Sequence, residues 1–335
     1  MVTLAVDMMG SDLGPEELAK GVEGYLEKNP DVNFLCFGDE KRLQSLSGKD
    51  RVKIIPTTQV VPMETSPLAF LRLKDSSMLK TLEAVKNGEA QGAVTAGSTG
   101  GYLTGSTMIL KNIPGVRRAG FCSPFPTSVK GKSTVILDIG ASNENTSEEL
   151  VGFARLGSIY ARMILNEENP SVYLLSNGEE EGKGLKESVE AYKALKEMKN
   201  INFQGNVEPR AALDGTKDVV VSTGYPGNIF LKSVEGAAKM MGDLMKKAFK
   251  RNFFSKLGYL FAKKGLDEMK ETMNYKKTGG AILLGINGVT IKTHGNSNSV
   301  FFYYSLDLAY RMVKSGIIKE ITEEFKEDAQ EAVQG

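Results

Sequence analysis

The sequence predicts an α/β protein with a mixed, mostly parallel sheet, helices on both faces and two lobes. Short, nearly continuous apolar runs alternate with amphipathic helical stretches along almost the whole chain, as in parallel sheets covered on both sides. Glycine-bearing polar turns follow many of those runs at their carboxyl ends. The 335 residues, 41% hydrophobic and 25% charged, have the composition of a folded globular chain long enough for a sizeable core.

Val2–Val6 opens as a strand. Pro15, Glu16 and Glu17 start the helix Pro15–Glu27, because proline needs no amide donor in a first turn and acids suit the helix dipole there. Strands Val32–Phe37 and Val52–Ile55 follow, then a helix at Ser77–Lys86 and a strand at Ala93–Ala96. Strand Thr134–Leu137 leads to helix Glu148–Leu165, and strand Val172–Leu175 to helix Leu185–Met198. Strands Ile201–Phe203 and Val219–Val221 precede helix Asn228–Ala248. Val289–Lys292 is the last strand, Ser297 or Asn298 starts the next helix, and Glu320–Gly335 reads as a fraying terminal helix. With no repeat, low-complexity tract or linker, residues 1–335 read as one integrated domain.

Composition excludes several chemistries. The balance of 42 basic against 41 acidic side chains argues against a nucleic-acid coat protein, so no nucleic-acid partner is expected. Cys36 and Cys122 are too few for a disulfide framework or a structural zinc site, and His294 is the lone histidine. No metal and no cofactor are therefore expected. The N-terminus lacks the basic leader and apolar core of a signal peptide, and no apolar run approaches the roughly 18 residues of a spanning helix. A cytoplasmic location is expected. Gly131-Lys132-Ser133 resembles the end of a phosphate-binding P-loop, but Pro126 stands where its first glycine belongs, and the segment precedes a strand.

Glycine is in excess, 36 of 335 residues, and it gathers after strands, where α/β sheets bind ligands. The first such turn carries Asp7, Gly10 and Gly14. Gly97, Ser98, Thr99, Gly100 and Gly101 form either an anion nest of exposed amides with hydroxyl donors, or a tight strand-to-helix turn with a serine cap. Asp138 and Asn143 either present a carboxylate and an amide to a ligand or hydrogen-bond their own turn. Lys183, between Gly182 and Gly184, is either a phosphate- or oxyanion-binding cation or part of a solvated charged loop. Gly224, Gly227 and Asn228 follow the strand Val219–Val221. His294 is either a general acid or anion donor, or a strand-end residue bonded to backbone.

The strongest charge feature lies within a basic helical segment, 244–273. Lys246, Lys247, Lys250, Arg251, Lys256, Lys263 and Lys264 occur with no acid between Asp243 and Asp267. Phe249, Phe253, Phe254, Leu257, Leu260 and Phe261 recur among them at the offsets of one helical stripe. Such a helix suits an anionic membrane surface or an acidic protein partner; otherwise the stripe packs on its own core or on a dimer mate.

Read in order, these turns resemble the bacterial phosphate acyltransferase family of phospholipid synthesis, over nearly the whole chain. The resemblance rests on Asp7-Met8-Met9-Gly10-Ser11-Asp12, Ser76-Ser77-Met78, Ala96-Gly97-Ser98-Thr99-Gly100 and Leu137-Asp138-Ile139-Gly140-Ala141. It continues through Phe203-Gln204-Gly205-Asn206-Val207-Glu208, Gly224-Tyr225-Pro226-Gly227-Asn228 and Gly279-Gly280-Ala281. Leu284-Gly285-Ile286-Asn287-Gly288 and Lys292-Thr293-His294-Gly295 complete it. The chain departs from the family pattern at Ser11 and Ser142, usually glycine and asparagine, at Leu13, often histidine, and at Thr223, usually aspartate. The last departure leaves no carboxylate at 223.

The resemblance implies a fold like isocitrate and isopropylmalate dehydrogenases and phosphotransacetylase. It implies reversible transfer of a fatty acyl group from acyl carrier protein to inorganic phosphate, giving acyl phosphate for phosphatidic acid synthesis. It also implies a homodimer, peripheral association with the inner face of the membrane, and delivery to the membrane glycerol-3-phosphate acyltransferase. Lys183 and Asn228 match family positions tied to activity. On this reading Asp7, Gly10, Gly97, Ser98, Thr99, Gly100, Asp138, Asn143, Gly224 and Gly227 hold phosphate or acyl substrate, and His294 orients phosphate or protonates the leaving thiolate. Lys250, Arg251, Phe253, Phe254, Leu257, Leu260 and Phe261 meet membrane or carrier protein. Two other readings stand beside it: a phosphate acetyltransferase using short acyl-coenzyme A, and a non-catalytic membrane-associated scaffold. A metal- and NAD-dependent dehydrogenase would need clustered aspartates and substrate arginines, which the sequence does not present.

Overall fold

The computed structural model describes residues 1–272 and 278–334. The chain begins with β1 (Val2–Asp7), α1 (Pro15–Lys28), β2 (Val32–Gly38) and β3 (Val52–Pro56). Two helices, α2 (Pro67–Arg72) and α3 (Ser77–Lys86), precede β4 (Gly92–Thr95). Next come α4 (Thr99–Gly105), prolonged by a π-type turn over Ser106–Leu110, then β5 (Gly120–Pro126) and β6 (Ser133–Leu137). The helix α5 (Ser147–Leu165) leads to β7 (Ser171–Leu175), α6 (Lys186–Glu197), β8 (Asn202–Val207) and β9 (Val219–Val221). Two long helices follow, α7 (Gly224–Lys250) and α8 (Phe253–Thr272). The chain ends with β10 (Ala281–Leu284), β11 (Val289–Lys292), α9 (Ser299–Ser315), α10 (Ile317–Glu324) and α11 (Lys326–Gln334).

These elements form two compact units. The first comprises the described residues of 1–123, 159–168 and 278–334; the second comprises 124–158 and 169–272. In the first, the strand order is β3-β2-β1-β4-β11-β10-β5. Its strands run parallel from β3 to β11, whereas β10 is antiparallel to both neighbours. In the second, β6-β9-β7-β8 are all parallel. The expected mixed, mostly parallel arrangement is therefore present.

The first unit's core is built from Leu4, Val6, Phe34, Val94, Ile291 and Leu306, all essentially inaccessible. Its helices α3 and α9 pack on the strands, and α1 packs on α9. Side-chain caps fix helix starts. Ser76 accepts from the Leu79 amide at α3, and Asn298 accepts from the Phe301 amide at α9. At α5, Thr146 Oγ1 accepts from the Glu149 amide while Glu149 Oε2 accepts from the Thr146 amide, a reciprocal capping box.

Three expectations need correction. The strands β5 and β10 were not predicted: Pro124 and Pro126 make β5 read as broken chain, and β10 is only four residues long after Gly279 and Gly280. The helix α7 begins at Gly224 rather than Asn228. Pro226 belongs to its first turn, where amides have no partner within the helix, so proline is tolerated. The stripe from Phe249 to Phe261 is not one helix. The chain breaks after Lys250, and Asn252 Oδ1 accepts from the Ser255 amide 2.8 Å away as α8 begins. Met273, the end of the expected basic segment, lies outside the described residues.

Candidate active site

The first unit brings three strand ends into one row. Asp7, Thr95 and Lys292 are register partners at the carboxyl ends of the parallel strands β1, β4 and β11. The Asp7 carboxylate is buried. Ser77 Oγ donates to Oδ1 (2.6 Å) and Thr95 Oγ1 donates to Oδ2 (2.6 Å). Thr95 Oγ1 in turn accepts from the Gly97 amide at 2.9 Å. This network holds two glycine turns in contact: a Cβ on Gly10 would lie 2.4 Å from Gly97 Cα. The Asp12 amide and Ser11 Oγ both donate to Gly295 O, tying the first turn to the one that carries His294.

Ser98 caps α4 as sequence reasoning allowed. Its fully buried Oγ accepts from the Gly101 amide and donates to Met63 O at 2.9 Å. Its hydroxyl proton is thus engaged within the protein. Thr99 and Gly100, the first residues of α4, are exposed, and their amides open the helix. His294 is also exposed, its ring edge-on to Phe301 at 5.8 Å.

Lys292 was not singled out from the sequence. It ends the strand Val289–Lys292, where a lysine reads as a solvent-facing terminus. It is instead buried, and its ammonium donates to Thr293 O. Burial pushes its pKa down to about 8, against the opposing pull of Asp7 and Asp12. An unfolded lysine stays protonated to about 10.4. Between these values the unfolded chain binds more protons, so folding becomes more favourable as pH rises, by up to about 1.4 kcal/mol per pH unit. Urea unfolding at pH 7.5 and 9.5 should show this gain in the parent chain and lose it in Lys292→Met. Equal pH slopes in the two chains would contradict it.

The second unit holds the other candidates. Asp138 follows β6 and is completely buried. Its Oδ1 accepts from the amides of Gly140 and Ala141, and its Oδ2 accepts from the Ser142 amide. Ser142 Oγ stands 2.8 Å from Asp138 Oδ2 and 2.9 Å from Asn145 Oδ1. Asn145 Oδ1 also accepts from the Gly224 amide at 3.0 Å, fastening the start of α7 to this turn. Asp138 therefore organises its own turn, and Asn143 is exposed beside it. The residue that does the tying is Asn145, which no strand-end turn of the sequence singles out.

The two glycines of Gly224-Tyr225-Pro226-Gly227-Asn228 serve close approach. A Cβ on Gly224 would lie 2.1 Å from Ser142 O, and one on Gly227 would lie 1.8 Å from Asp138 O. This contact places the half-buried Asn228 over Gly140, whose absent side chain leaves it room. Lys183 is exposed on the loop after β7, its amide bonded to Glu180 O.

The helices α7 and α8 pack on each other, with Phe249 and Tyr259 rings 5.5 Å apart. Phe253, Phe254, Leu257, Leu260 and Phe261 are exposed, Phe261 to 84%. Lys250 and Arg251 are exposed at the break, and Met240, Met241 and Leu244 extend the open apolar surface along α7. In the single chain the stripe is thus not packed on a core. Among the described residues no helix is long and apolar enough to cross a membrane, and no three His, Cys, Asp or Glu side chains are placed to hold a metal ion.

A family model described as "Fatty acid synthesis protein" matches residues 2–320. The phosphate acyltransferase of Mycoplasma capricolum is 38% identical over 326 residues, covering 96% of this chain and 97% of that protein. Among solved structures, a phosphotransacetylase from Streptococcus pyogenes matches with a TM-score of 0.61 at 17% identity, covering 95% and 94% of the two chains. A 4-hydroxythreonine-4-phosphate dehydrogenase from Klebsiella pneumoniae matches at 0.54 with 11% identity, covering 93% and 99%. The structural likenesses show a fold shared with phosphotransacetylases and with a dehydrogenase. Matched along nearly its whole length in sequence, the chain belongs to the phosphate acyltransferase family and is a transferase.

Proposed function

We propose that this enzyme transfers a fatty acyl group from the thioester of acyl carrier protein to inorganic phosphate. A phosphate oxygen attacks the thioester carbonyl, the carbon–sulfur bond breaks, and the carrier leaves as thiolate and takes up a proton. Acyl phosphate is the product and the reaction is reversible. The observation that carries the reading is the near full-length match to proteins named phosphate acyltransferase. Phosphate is already ionised at neutral pH, so the protein's tasks are positioning and charge stabilisation.

The exposed amides of Thr99 and Gly100, with the Thr99 hydroxyl, suit phosphate binding at the end of β4. Ser98, Gly97, Gly10 and Asp7 act behind them by fixing the paired turns. Lys183 and Asn228 are assigned to phosphate charge or the tetrahedral oxyanion, and Asp138, Gly224 and Gly227 to holding Asn228. His294 orients phosphate or returns the proton to the thiolate. The experiment is incubation with palmitoyl carrier protein and phosphate, following free thiol and acyl phosphate. A second reading, a short-acyl phosphotransacetylase, draws on the fold likeness. It would be favoured by turnover of acetyl-coenzyme A with none of the palmitoyl carrier.

We also assign the α7–α8 hairpin to the inner face of an anionic membrane. Its exposed aromatic residues would enter the interface while its acid-free run of seven cations meets lipid headgroups. There the enzyme, acting as a homodimer in the cytoplasm, would pass acyl phosphate to a membrane glycerol-3-phosphate acyltransferase. Phe253→Glu with Leu260→Glu should release the protein from anionic vesicles in a sedimentation assay while soluble turnover persists. Unchanged vesicle binding would instead favour packing of this surface on a protein partner.

A further inference from the structure

We propose that a cavity in the second unit is the site for the substrate's alkyl chain, an inference that rests on the acyl transfer proposed above. The cavity, about 580 Å³, opens where β7 and β9 end and α6 and α7 begin. That volume falls within the roughly 300–1,000 Å³ of small-molecule sites. Among the described residues no Lys, Arg, Asp, Glu or His lines it. A phosphate or carboxylate placed there would lose its hydration and meet no counter-charge, whereas an alkyl chain loses nothing. The walls suit such a chain: Leu150, Leu174, Val221 and Phe230 are buried, while Leu185 and Ile229 are large aliphatic side chains left open to solvent.

Four polar lining residues mark the strand ends. Ser176 and Asn177 directly follow β7, and Ser222 and Thr223 directly follow β9, while Ser188, Tyr225 and Ser233 lie on the helices α6 and α7. The two positions assigned to charge stabilisation flank the same cavity in sequence. Lys183 immediately precedes the lining residues Gly184 and Leu185, and Asn228 stands between the lining residues Pro226 and Ile229. This arrangement fits a thioester carbonyl at the polar end and an alkyl tail along Leu185, Ile229 and Phe230.

Ile229→Trp and Ser233→Trp test the assignment. Both positions are exposed and line the cavity, so the indole fills the hollow without disturbing buried packing. The variants are compared with the parent chain on butyryl, octanoyl and palmitoyl carrier protein at several phosphate concentrations. The expected result is at least a tenfold fall in kcat/KM for palmitoyl relative to butyryl, with the KM for phosphate unchanged. An equal loss at every chain length would place the carrier's arm there instead and overturn the proposal, as would no loss at all. A second readout does not depend on turnover: cis-parinaric acid should bind the parent chain with a rise in fluorescence and bind both variants at least tenfold more weakly. Equal binding overturns the cavity assignment. A parent chain that binds cis-parinaric acid but acylates no phosphate at any chain length would sink the reaction and leave the cavity standing.

Discussion

Lys183→Ala and Asn228→Ala should each lower the rate of thiol release from palmitoyl carrier protein by about 10²–10³-fold, the usual worth of one donor aimed at a developing oxyanion. Stability should hardly move. The Lys183 side chain is exposed, so its truncation leaves no cavity, and exposed substitutions usually stay within about 0.5 kcal/mol. Asn228 is half-buried over Gly140, on a helix whose start is fixed by other groups: the Asn145–Gly224 hydrogen bond and the close contacts of Gly224 and Gly227. Rates and urea midpoints measured on the same preparations separate the two effects. Near-normal turnover in both variants would remove these residues from the site.

Gly227→Ala should be far more damaging to the fold. The new methyl group would stand 1.8 Å from Asp138 O and 2.9 Å from Asp138 C, with Ile139 Cα 3.2 Å away. All three neighbours are backbone atoms, so no rotamer change relieves the clash. Either the first turn of α7 lifts away, or the Asp138 turn with its buried carboxylate is displaced. Overpacking of this kind typically costs about 1–3 kcal/mol, and a clash with main chain belongs at or beyond the upper end. Turnover should fall as well, because Asn228 is carried on the displaced turn. Gly100→Ala is the matched control. It also lies in a first helical turn, yet a Cβ there meets nothing within 4 Å. Its stability should stay level or rise by up to about 1 kcal/mol through helix propensity. A urea midpoint for Gly227→Ala equal to that of Gly100→Ala would refute the close-packing account.

Much of the fold was legible because parallel strands buried on both sides read as apolar runs; Val2–Val6 and Val219–Val221 could be little else. What escaped were the antiparallel strands. The alternating pattern of strand and helix says nothing of β10, a four-residue run joined to β11 by a short turn rather than by a helix. The prolines of β5 suppressed its signal outright. At the site, strand-end turns located the candidates but not their tasks. Ser98 and Asp138 are residue types that serve ligands and caps alike, and only the hydrogen bonds of Gly101, Met63, Gly140 and Ala141 show both engaged within the protein. Lys292 was missed for the opposite reason: a cation ending a strand predicts exposure, and only the register with Asp7 and Thr95 reveals it as interior. The basic stripe was legible as composition, but Asn252 interrupts it with a helix cap that periodicity alone does not register.

The strand order of the first unit also bears on how the chain is made. The strands β11 and β10 occupy the interior positions next to β4, yet they follow the whole second unit in the order of synthesis. Until they emerge, β4 remains an open edge, with unpaired backbone groups beside an incomplete core. The nascent polypeptide must therefore wait through synthesis of the whole second unit before the first can close. Such long-range pairing slows folding and prolongs exposure to aggregation. A chain that terminates just before β10 would lose the middle of a sheet rather than a tail, and would be a substrate for chaperones and proteases rather than a shortened enzyme.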